Sequence, residues 1–416
     1  MKYVLYGIKG SGMSSVCHIL LDKGYEVIGI DTNNYVYTQD DLIKRNVKIY
    51  TYNEYKFCTD DILIYGHSFK DDKEVRMASL ICKEVYEYHE FVNQLIKESK
   101  LSIAIAGSHG KTYTTGLISN ILSKLYNVSY LIGDGEGKYN GDDIFIFEAC
   151  EYQDHFLKYR VDVGIILNID YDHVDYFKSE EDYIESFNKF CSNCKTIILN
   201  KEDYNIKKLN HNNPVYFSFN DINNLKLTEK GYAFNLENEL IKTNVYGNKH
   251  ILNILSLIKL CDCLNIDRKK YLKYICEFNG VKRRFREIII NGDIYIDDYA
   301  HHPSQIKYTL EMIKNKYPDR ELVVFFKPDR ASRFLTFYKQ IATSLDIANL
   351  AVIMEFKEDK DNTLIDLLLN GNKIKFYRFN DKTINIVKNM KNIVVVSLSS
   401  KNMEEVYEKI FINPAL

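Results

Sequence analysis

The sequence predicts an α/β protein built from three domains, each with a mostly parallel sheet. A chain of 416 residues is too long for a single hydrophobic core. A β-rich run, a glycine turn and a helical segment follow one another repeatedly along it, and this alternation is typical of parallel sheets. We expect a Rossmann-like domain over residues 1–98, a central sheet of the phosphate-loop ATPase type flanked by helices over 99–286, and a second Rossmann-like domain over 287–416.

The composition excludes several classes of protein. Hydrophobic residues make up 46% of the chain and charged residues 27%, which is ordinary for a globular protein. The net charge of -2 provides no overall basic field for nucleic acid or anionic membrane. No stretch of about 18 apolar residues predicts a membrane span, and the short apolar start does not predict a signal peptide. We expect a cytoplasmic protein without nucleic-acid or membrane partners, as a monomer or a weak homodimer.

The first strand, turn and helix form a βαβ unit. "KYVLYGI" is a β-rich run, "KGSGMS" is the turn, and "SVCHILLDKG" has helical apolar spacing that ends at Gly24. Asp31 closes the next strand, about 20 residues after the turn, as in dinucleotide-binding folds. The turn reads G-x-x-G-x-G rather than G-x-G-x-x-G, so it indicates a nicotinamide cofactor only weakly. A Rossmann oxidoreductase stays an alternative at this point.

A second turn, in "AIAGSHGKTYTTG", contains Gly110, Lys111 and Thr112, the end of a phosphate loop. Gly107 stands three residues before Gly110, whereas the standard loop places it five before. A buried strand precedes the turn and a helix follows it, so backbone N–H groups and a helix N-terminus face an anion. This context favours phosphate binding over a chance match, with the lysine on the phosphates and the threonine on Mg²⁺.

Polar side chains end the next two strands. Glu148 closes "DDIFIFE", and Asn168, Asp172 and His173 follow "VDVGIILNID". A carboxylate beside a phosphate loop is where Mg²⁺ needs an oxygen ligand. We therefore expect a magnesium site at this sheet edge, with His173 as a second metal-binding point. A capping acid and a surface histidine are the alternatives.

The last third of the chain predicts another sheet. Asn291-Gly292 between two β-rich runs is a hairpin signal. Four further apolar runs are separated by helical spacing, namely "ELVVFF", "LAVIMEF", "KIKFYRF" and "NIVVVSL".

Taken in order, the motifs resemble those of the Mur ligases. They are "GIKGSGMS", "AGSHGKTYTT", "FEACEYQDHFL", "NIDYDHVDYF", "NGVKRRF", "DDYAHHPSQI" and "FKPDRASR", and the similarity extends from residue 1 to about residue 335. The shortened phosphate loop, G-x-H-G-K-T, is that family's own form. Within the family the motifs are most similar to those of members that join L-alanine to UDP-N-acetylmuramate.

The resemblance implies three α/β domains that bind, in order, the UDP part of the substrate, ATP with Mg²⁺, and the incoming amino acid. It implies that ATP converts the substrate carboxylate to an acyl phosphate, which the amine attacks to give an amide. The implied setting is peptidoglycan precursor synthesis in the cytoplasm. UDP-N-acetylmuramate and L-alanine are then the small-molecule partners.

Matching the family's motifs position by position also implies roles for individual residues. The implied catalytic set is Lys111, Asn168, His173, His301 and Arg330. The implied metal ligands are Thr112, Glu148 and His173. The implied ATP-binding residues are Gly107, Ser108, His109, Gly110, Lys111, Thr112, Tyr113, Asn253, Arg284, Asp298 and Tyr299. The implied UDP-substrate residues are Gly10, Ser11, Gly12, Met13, Asp31, His67 and Ser68. The implied amino-acid residues are His301, Arg330 and Arg333.

The sequence departs from the family pattern mainly at its two ends. Lys9 replaces a glycine of the first turn, and "MEFKEDKD" and "SLSSKNM" occupy places where the family has other motifs. Cys150, Gln153 and His250 are central departures. These changes leave open a Mur-type ligase with a different acid substrate or amino acid, for example in muropeptide recycling. A nucleotide-binding scaffold without turnover is a further alternative.

Overall fold

A computed structural model describes residues 2–278, 280–281, 285–359, 363–369 and 376–412. It contains three α/β units, which we call the N-terminal unit (residues 2–98), the central unit (101–281) and the C-terminal unit (285–412). The predicted fold class is confirmed. The predicted domain boundaries remain predictions; the one after residue 286 falls at the first residue of a strand of the third sheet.

The N-terminal unit has a five-stranded parallel sheet in the order β3-β2-β1-β4-β5. Its strands are Lys2–Tyr6 (β1), Glu26–Ile30 (β2), Lys48–Tyr50 (β3), Asp61–Tyr65 (β4) and Glu84–Glu87 (β5). Its helices are Ser11–Asp22 (α1), Gln39–Lys44 (α2), Lys73–Ala78 (α3) and Tyr88–Glu98 (α4). As expected, α1 is followed by Gly24 in a left-handed conformation, with φ +83°.

The central unit has a seven-stranded sheet in the order β12-β11-β10-β6-β9-β7-β8, parallel except for β8. Its strands are Leu101–Ala106 (β6), Val128–Leu131 (β7), Gly137–Lys138 (β8), Ile144–Glu148 (β9), Val161–Ile166 (β10), Cys194–Asn200 (β11) and Val215–Phe217 (β12). A separate antiparallel sheet consists of Asn223–Thr228 (β13), Gly231–Leu236 (β14) and Glu239–Lys242 (β15). The helices are Lys111–Leu122 (α5), Glu180–Ser192 (α6), Asn248–Cys263 (α7) and Arg268–Tyr271 (α8).

The C-terminal unit has a six-stranded sheet in the order β16-β17-β21-β18-β19-β20. Its strands are Arg286–Ile290 (β16), Asp293–Asp298 (β17), Glu321–Phe326 (β18), Leu350–Ile353 (β19), Phe376–Arg378 (β20) and Ile393–Leu398 (β21). Its helices are Pro303–Lys316 (α9), Ala331–Leu345 (α10), Thr363–Leu369 (α11), Asp381–Asn389 (α12) and Glu404–Phe411 (α13). The hairpin predicted at Asn291-Gly292 joins β16 to β17, the one antiparallel pair among the described strands of this sheet.

The central strands of the three main sheets, such as β1, β6 and β18, are buried on both faces, which explains their continuous apolar sequences. One hydrophobic cluster contains Leu5 and Val16 from the N-terminal unit together with Phe147 and Phe187 from the central unit, so these two units share a core. The C-terminal unit has its own clusters, which partly buried central residues such as Tyr171 contact from outside. Among the described helices, none combines the length and the apolar character that a membrane crossing requires.

Candidate active site

The phosphate loop connects β6 to α5 at the carboxyl edge of the central sheet. Gly110 precedes the first residue of α5 with φ +86°, a left-handed conformation that glycine adopts without strain. Gly107 has φ +132°, and a β-carbon there would lie 3.1 Å from the carbonyl oxygen of Asn168. Both glycines are therefore required by the backbone, as expected for a loop that brings N–H groups to an anion.

Asn168, at the end of β10, fixes the shape of this loop. Its Oδ1 accepts a hydrogen bond from the His109 N–H at 2.9 Å, and its Nδ2 donates to the His109 carbonyl oxygen at 2.8 Å. The Ser108 N–H donates to the Asn168 carbonyl oxygen at 3.1 Å. The side chain predicted to lie near the phosphates thus braces the loop that would bind them.

Lys111 is held by a carboxylate that the sequence analysis does not single out. Its Nζ donates to Glu151 Oε2 at 2.8 Å and also to the Gly107 carbonyl oxygen. The Glu151 side chain is 1% exposed, and its Oε1 accepts from the Tyr183 hydroxyl at 3.1 Å. Burial raises the pKa of Glu151, but Lys111 and His173 outweigh it and lower the pKa to about 2. The loop lysine therefore faces a fully ionised partner.

The predicted metal ligands lie in two neighbouring places. The Thr112 hydroxyl donates to Glu148 Oε2 at 3.2 Å, and the Gly133 N–H donates to Glu148 Oε1. His173 Nε2 lies 3.5 Å from Glu151 Oε1, and its Nδ1 is buried without a hydrogen-bond partner among the described residues. Hydroxyl and carboxylate oxygens are the donors that Mg²⁺ prefers, so Thr112 and Glu148 fit this ion. His173 belongs to the second place, beside Glu151.

A cavity of about 390 Å³ opens next to the loop, between the central and C-terminal units. Five of its lining residues belong to the ATP-binding set implied by the resemblance, namely His109, Gly110, Tyr113, Asn253 and Asp298. Asn168 and His250 also line it, whereas Tyr299 does not. Several predicted ATP-binding residues, distant in sequence, thus meet around one cavity.

At the edge of this cavity, the Asp298 carboxylate is hydrogen-bonded to groups of the C-terminal unit. Its carboxylate accepts hydrogen bonds from the Phe285 N–H at 2.9 Å, the Ala300 N–H at 3.0 Å and the Thr309 hydroxyl at 3.1 Å. These bonds hold the carboxylate in a fixed orientation. A ribose hydroxyl would therefore meet a pre-positioned acceptor.

His109 connects the phosphate loop to the first turn of α9. Its Nε2 lies 2.9 Å from Asp170 Oδ2 and 3.0 Å from the Ser304 hydroxyl, and its Nδ1 lies 2.9 Å from Gln305 Nε2. Burial lowers the pKa of His109 to about 3, so the ring is neutral at neutral pH. The C-terminal unit therefore contacts the loop directly.

Two arginines at the start of α10 have different environments. Arg333 is buried, with Nε 3.0 Å from Asp172 Oδ1 and Nη1 2.8 Å from Asp329 Oδ2. The Arg330 side chain is 41% exposed, and its Nη1 lies 3.4 Å from Asp175 Oδ2. Internal carboxylates neutralise Arg333, whereas Arg330 is half exposed. The resemblance implies an amino-acid contact for both arginines and a catalytic role for Arg330 alone.

His301 lies near this arginine pair. Its Nδ1 is 2.9 Å from the Tyr299 carbonyl oxygen. Burial and the nearby positive charge of Arg333 lower the pKa of His301 to about 4. The ring is therefore neutral at neutral pH.

At the first glycine turn, the Asp31 carboxylate accepts hydrogen bonds from backbone groups of the N-terminal unit. Asp31 Oδ2 accepts from the Lys9 N–H at 2.7 Å, and Oδ1 accepts from the Thr32 N–H at 2.7 Å. The Lys9 ammonium donates to the carbonyl oxygens of Thr32 at 2.7 Å and Asn34 at 2.9 Å. The lysine that replaces a family glycine is therefore directed to its own unit.

The remaining residues of the predicted UDP site lie at the same edge of the first sheet. Gly10, Ser11, Gly12 and Met13 form the turn and the start of α1, and His67 and Ser68 lie in a short 3₁₀ helix after β4. A β-carbon on Gly12 would lie 2.9 Å from the Tyr88 hydroxyl oxygen. Arg284 lies outside the described residues. The ligand roles of all these residues stay predictions.

Three family models match consecutive segments of the chain. The model of the Mur ligase family catalytic domain matches residues 2–100, that of the Mur ligase middle domain matches 105–261, and that of the Mur ligase glutamate ligase domain matches 283–402.

Solved structures share the whole fold. UDP-N-acetylmuramate-alanine ligase MurC from Thermotoga maritima is 22% identical with a TM-score of 0.82, over 99% of this chain and 98% of that one. A murein peptide ligase from Psychrobacter arcticus is 19% identical with a TM-score of 0.71, over 100% of both chains. A pseudomurein peptide ligase type C from Methanothermus fervidus is 19% identical with a TM-score of 0.67, over 98% of this chain and 99% of that one. At these identities the likeness concerns the fold.

Proposed function

The chain belongs to the Mur ligase family of ATP-dependent, amide-forming ligases, and from this premise we propose that it joins L-alanine to UDP-N-acetylmuramate. The observation that carries the proposal is the meeting of Lys111, Thr112 and Glu148 at one sheet edge, beside a cavity that the C-terminal unit closes. Activation of a carboxylate by ATP needs such a concentration of phosphate-binding and metal-binding groups.

The chemistry consists of two displacements. In the first, an oxygen of the substrate carboxylate attacks the γ-phosphorus of ATP, and ADP leaves. In the second, the amine nitrogen attacks the carbonyl carbon of the acyl phosphate, and phosphate leaves as the amide forms. Both steps concentrate negative charge next to the phosphate loop, where the N–H groups at the start of α5 and the Lys111 ammonium stabilise it.

Mg²⁺, held by Thr112 and Glu148, would neutralise charge on the nucleotide phosphates. Lys111 is ion-paired with Glu151. We propose that it turns toward the phosphates when the nucleotide binds, while Glu151 keeps its bond to Tyr183 and its proximity to His173. Glu151 is thus a positioning residue for the lysine.

The amino acid is proposed to bind at the start of α10. Arg330 is half exposed, has a long contact with Asp175, and lies over the Tyr152 ring with its guanidinium carbon 5.5 Å from the ring centroid. A guanidinium in this state can bind a carboxylate in bidentate fashion. Arg333, saturated by Asp172 and Asp329, instead holds the C-terminal unit against the loop that carries His173.

The test is phosphate release from Mg-ATP with UDP-N-acetylmuramate and each of a panel of amino acids, with products identified by mass. Release that requires both UDP-N-acetylmuramate and L-alanine, with a product heavier by one alanine residue, is the expected result. Release only with another acid or another amino acid, for example a muropeptide, would replace the proposed substrates and retain the ligase chemistry. Absence of release with every pair, from folded protein that still binds ATP, would refute the proposal.

Arg330→Ala refines the amino-acid assignment. Loss of a charge-assisted bond to the substrate carboxylate should raise the KM for L-alanine about tenfold or more, while the KM for ATP changes little. Equal effects on both KM values would contradict a specific contact with the amino acid.

A further inference from the structure

Three histidines from separate parts of the chain meet at the boundary between the N-terminal and central units. His67 lies in the 3₁₀ helix after β4, His89 lies in the first turn of α4, and His155 lies in the 3₁₀ helix Tyr152–Lys158 of the central unit. One nitrogen of each ring lies within 4.8 Å of the other two. The ring centroids of His155 lie 4.7 Å from His67 and 4.5 Å from His89.

A carboxylate completes this group, which we call the trihistidine cluster (His67, Glu87, His89 and His155). Glu87 Oε1 lies 2.6 Å from His89 Nε2 and is hydrogen-bonded to His67 Nδ1. The Glu87 side chain is 11% exposed. Three imidazoles and one carboxylate therefore converge on a small volume, with His89 buried and the His67 side chain 33% exposed.

Two ring nitrogens of this cluster lack a partner. His89 Nδ1 and His155 Nε2 are buried, and neither has a hydrogen bond among the described residues. A buried polar atom without a partner destabilises the fold.

We propose that the trihistidine cluster binds a transition-metal ion, Zn²⁺ in the first instance, across the boundary of the two units. Three imidazoles and one carboxylate suit four-coordinate zinc. Zn–N and Zn–O distances are about 2.0–2.2 Å, so ligand atoms around the ion lie roughly 3.3 Å apart. The ring nitrogens, now within 4.8 Å of one another, must therefore approach, and Glu87 Oε1 must exchange its hydrogen bonds to His67 and His89 for the ion. This donor set differs from the oxygen donors Thr112 and Glu148 and would not select Mg²⁺.

Lys158 lies next to the trihistidine cluster, and its positive charge would repel a metal cation. Its Nζ lies 3.8 Å from Glu87 Oε2, and its side chain is 43% exposed. A side chain so exposed can move into solvent when a divalent ion arrives. Lys158 therefore provides a variant that alters the charge at the site without removing a ligand.

The experiment uses the full chain, freed of metal by a chelator, and requires no nucleotide or sugar substrate. Zn²⁺ is titrated in competition with a chromophoric chelator, and Co²⁺ is titrated separately to record its visible absorption. The wild type and His155→Ala are compared. Three variants are the controls. Lys158→Gln changes the charge beside the site, and His211→Ala and His302→Gln remove histidines that lie outside the trihistidine cluster. His302 belongs to a second group with His109 and Asp170.

We expect the wild type to bind Zn²⁺ and to give the intense absorption of tetrahedral Co²⁺. His155→Ala should bind Zn²⁺ at least about tenfold more weakly and lose the Co²⁺ signal. Lys158→Gln should bind as tightly as the wild type or more tightly, and Zn²⁺ should raise the Tm of the wild type but not that of His155→Ala.

Unchanged Zn²⁺ affinity in His155→Ala would overturn the proposal, as would loss of binding in His302→Gln with retention in His155→Ala. Absence of any Zn²⁺ binding by the wild type would overturn it equally. Because the measurement involves no turnover, its failure would leave the ligase proposal untouched. Failure of the ligase assay would likewise leave the metal site standing.

Discussion

The central unit contacts its two neighbours by different chemistry. Toward the N-terminal unit, the hydroxyls of Ser14 and Ser15 donate to carbonyl oxygens of Gly135 and Ile132, at 3.3 and 2.9 Å. Gly137 approaches helix α1 so closely that a β-carbon on this glycine would lie 2.0 Å from the Ser15 carbonyl oxygen. Toward the C-terminal unit, ionic and polar contacts of Arg333 with Asp172 and of His109 with Ser304 and Gln305 lie beside a ring contact of Tyr171 with Phe337.

This difference indicates which contact can separate more readily. The shared hydrophobic core and the direct packing on Gly137 make separation of the N-terminal and central units costly, although Lys158 and Glu87 form an ion pair there as well. The ionic contact encloses the cavity of about 390 Å³ and can exchange its partners for those of a ligand. We therefore expect the C-terminal contact to respond to nucleotide and to pH, and the N-terminal contact to respond mainly to packing.

The largest effect is expected at the loop that the ionic contact covers. Lys111→Met removes the ammonium that we propose to stabilise phosphate charge, and kcat should fall about 10³-fold. Phosphate release under saturating Mg-ATP measures this. Lys124→Met, an exposed lysine just beyond α5, is the matched control and should leave kcat unchanged. A Lys111→Met variant that is folded by circular dichroism and turns over normally would exclude this loop from the chemistry.

Removing Arg333 tests the ionic contact itself. Arg333→Ala leaves Asp172 and Asp329 buried without their cation, and such a loss costs about 3–5 kcal/mol in free energy of unfolding. Urea unfolding followed by circular dichroism suits this chain, which has no tryptophan. Arg330→Ala, which removes an exposed pair, should cost less than about 1 kcal/mol. Equal losses of unfolding free energy in the two variants would mean that the buried ion pair stabilises the chain no more than the exposed one does.

Gly137→Ala tests the uncharged contact. The new methyl group would meet the Ser15 backbone, which cannot rotate away as a side chain can. Overpacking of this kind costs about 1–3 kcal/mol of stability. Gly66→Ala is the control, because its β-carbon would lie 3.6 Å from the nearest Phe69 atom, an ordinary contact. Equal stability of Gly137→Ala and Gly66→Ala would contradict the close packing described for the contact between the N-terminal and central units.

The smallest effect concerns pH. The pKa of His301 is about 4 in the folded chain, below the ordinary value of 6.5, so between these values the unfolded chain binds the extra proton. Stability should therefore be full above pH 6.5 and decrease as the pH falls toward 4, with a loss of about 2 kcal/mol for this group between pH 7 and pH 5. Tm measured from pH 7 to pH 5 should decline less steeply in His301→Gln than in the wild type. Parallel curves would show that His301 does not contribute.

Local patterns in the sequence were sufficient for most of the fold. The glycine turns, the helix from Lys111 and the hairpin at Asn291-Gly292 each depend on a few consecutive residues, and the structure has all of them. The antiparallel sheet β13–β15 was not predicted. Gly231 adopts φ +142° where β14 begins, but this glycine alone did not indicate a turn between two strands. The first strand of this sheet, β13, is largely exposed, so the apolar pattern of that strand is weak.

Partners that are distant in sequence could not be predicted in the same way. Glu151 follows Glu148 by three residues, but its importance comes from Lys111 and Tyr183, which only the folded sheet brings to it. Arg333 illustrates the converse case, because its motif predicts a substrate contact and the structure gives it two internal carboxylates. The trihistidine cluster likewise depends on the packing of two units.

The pair of hydrogen bonds between the Asn168 amide and the His109 peptide group has a consequence for the entropy of nucleotide binding. Because both bonds fix the His109 peptide group to the end of β10, they order the loop without any contribution from a phosphate. Fixing the backbone of one free residue costs about 1–2 kcal/mol, and a loop of several residues would otherwise lose that much at each position. Affinity for the phosphates is therefore preorganised by an amide located on a neighbouring strand, outside the loop itself.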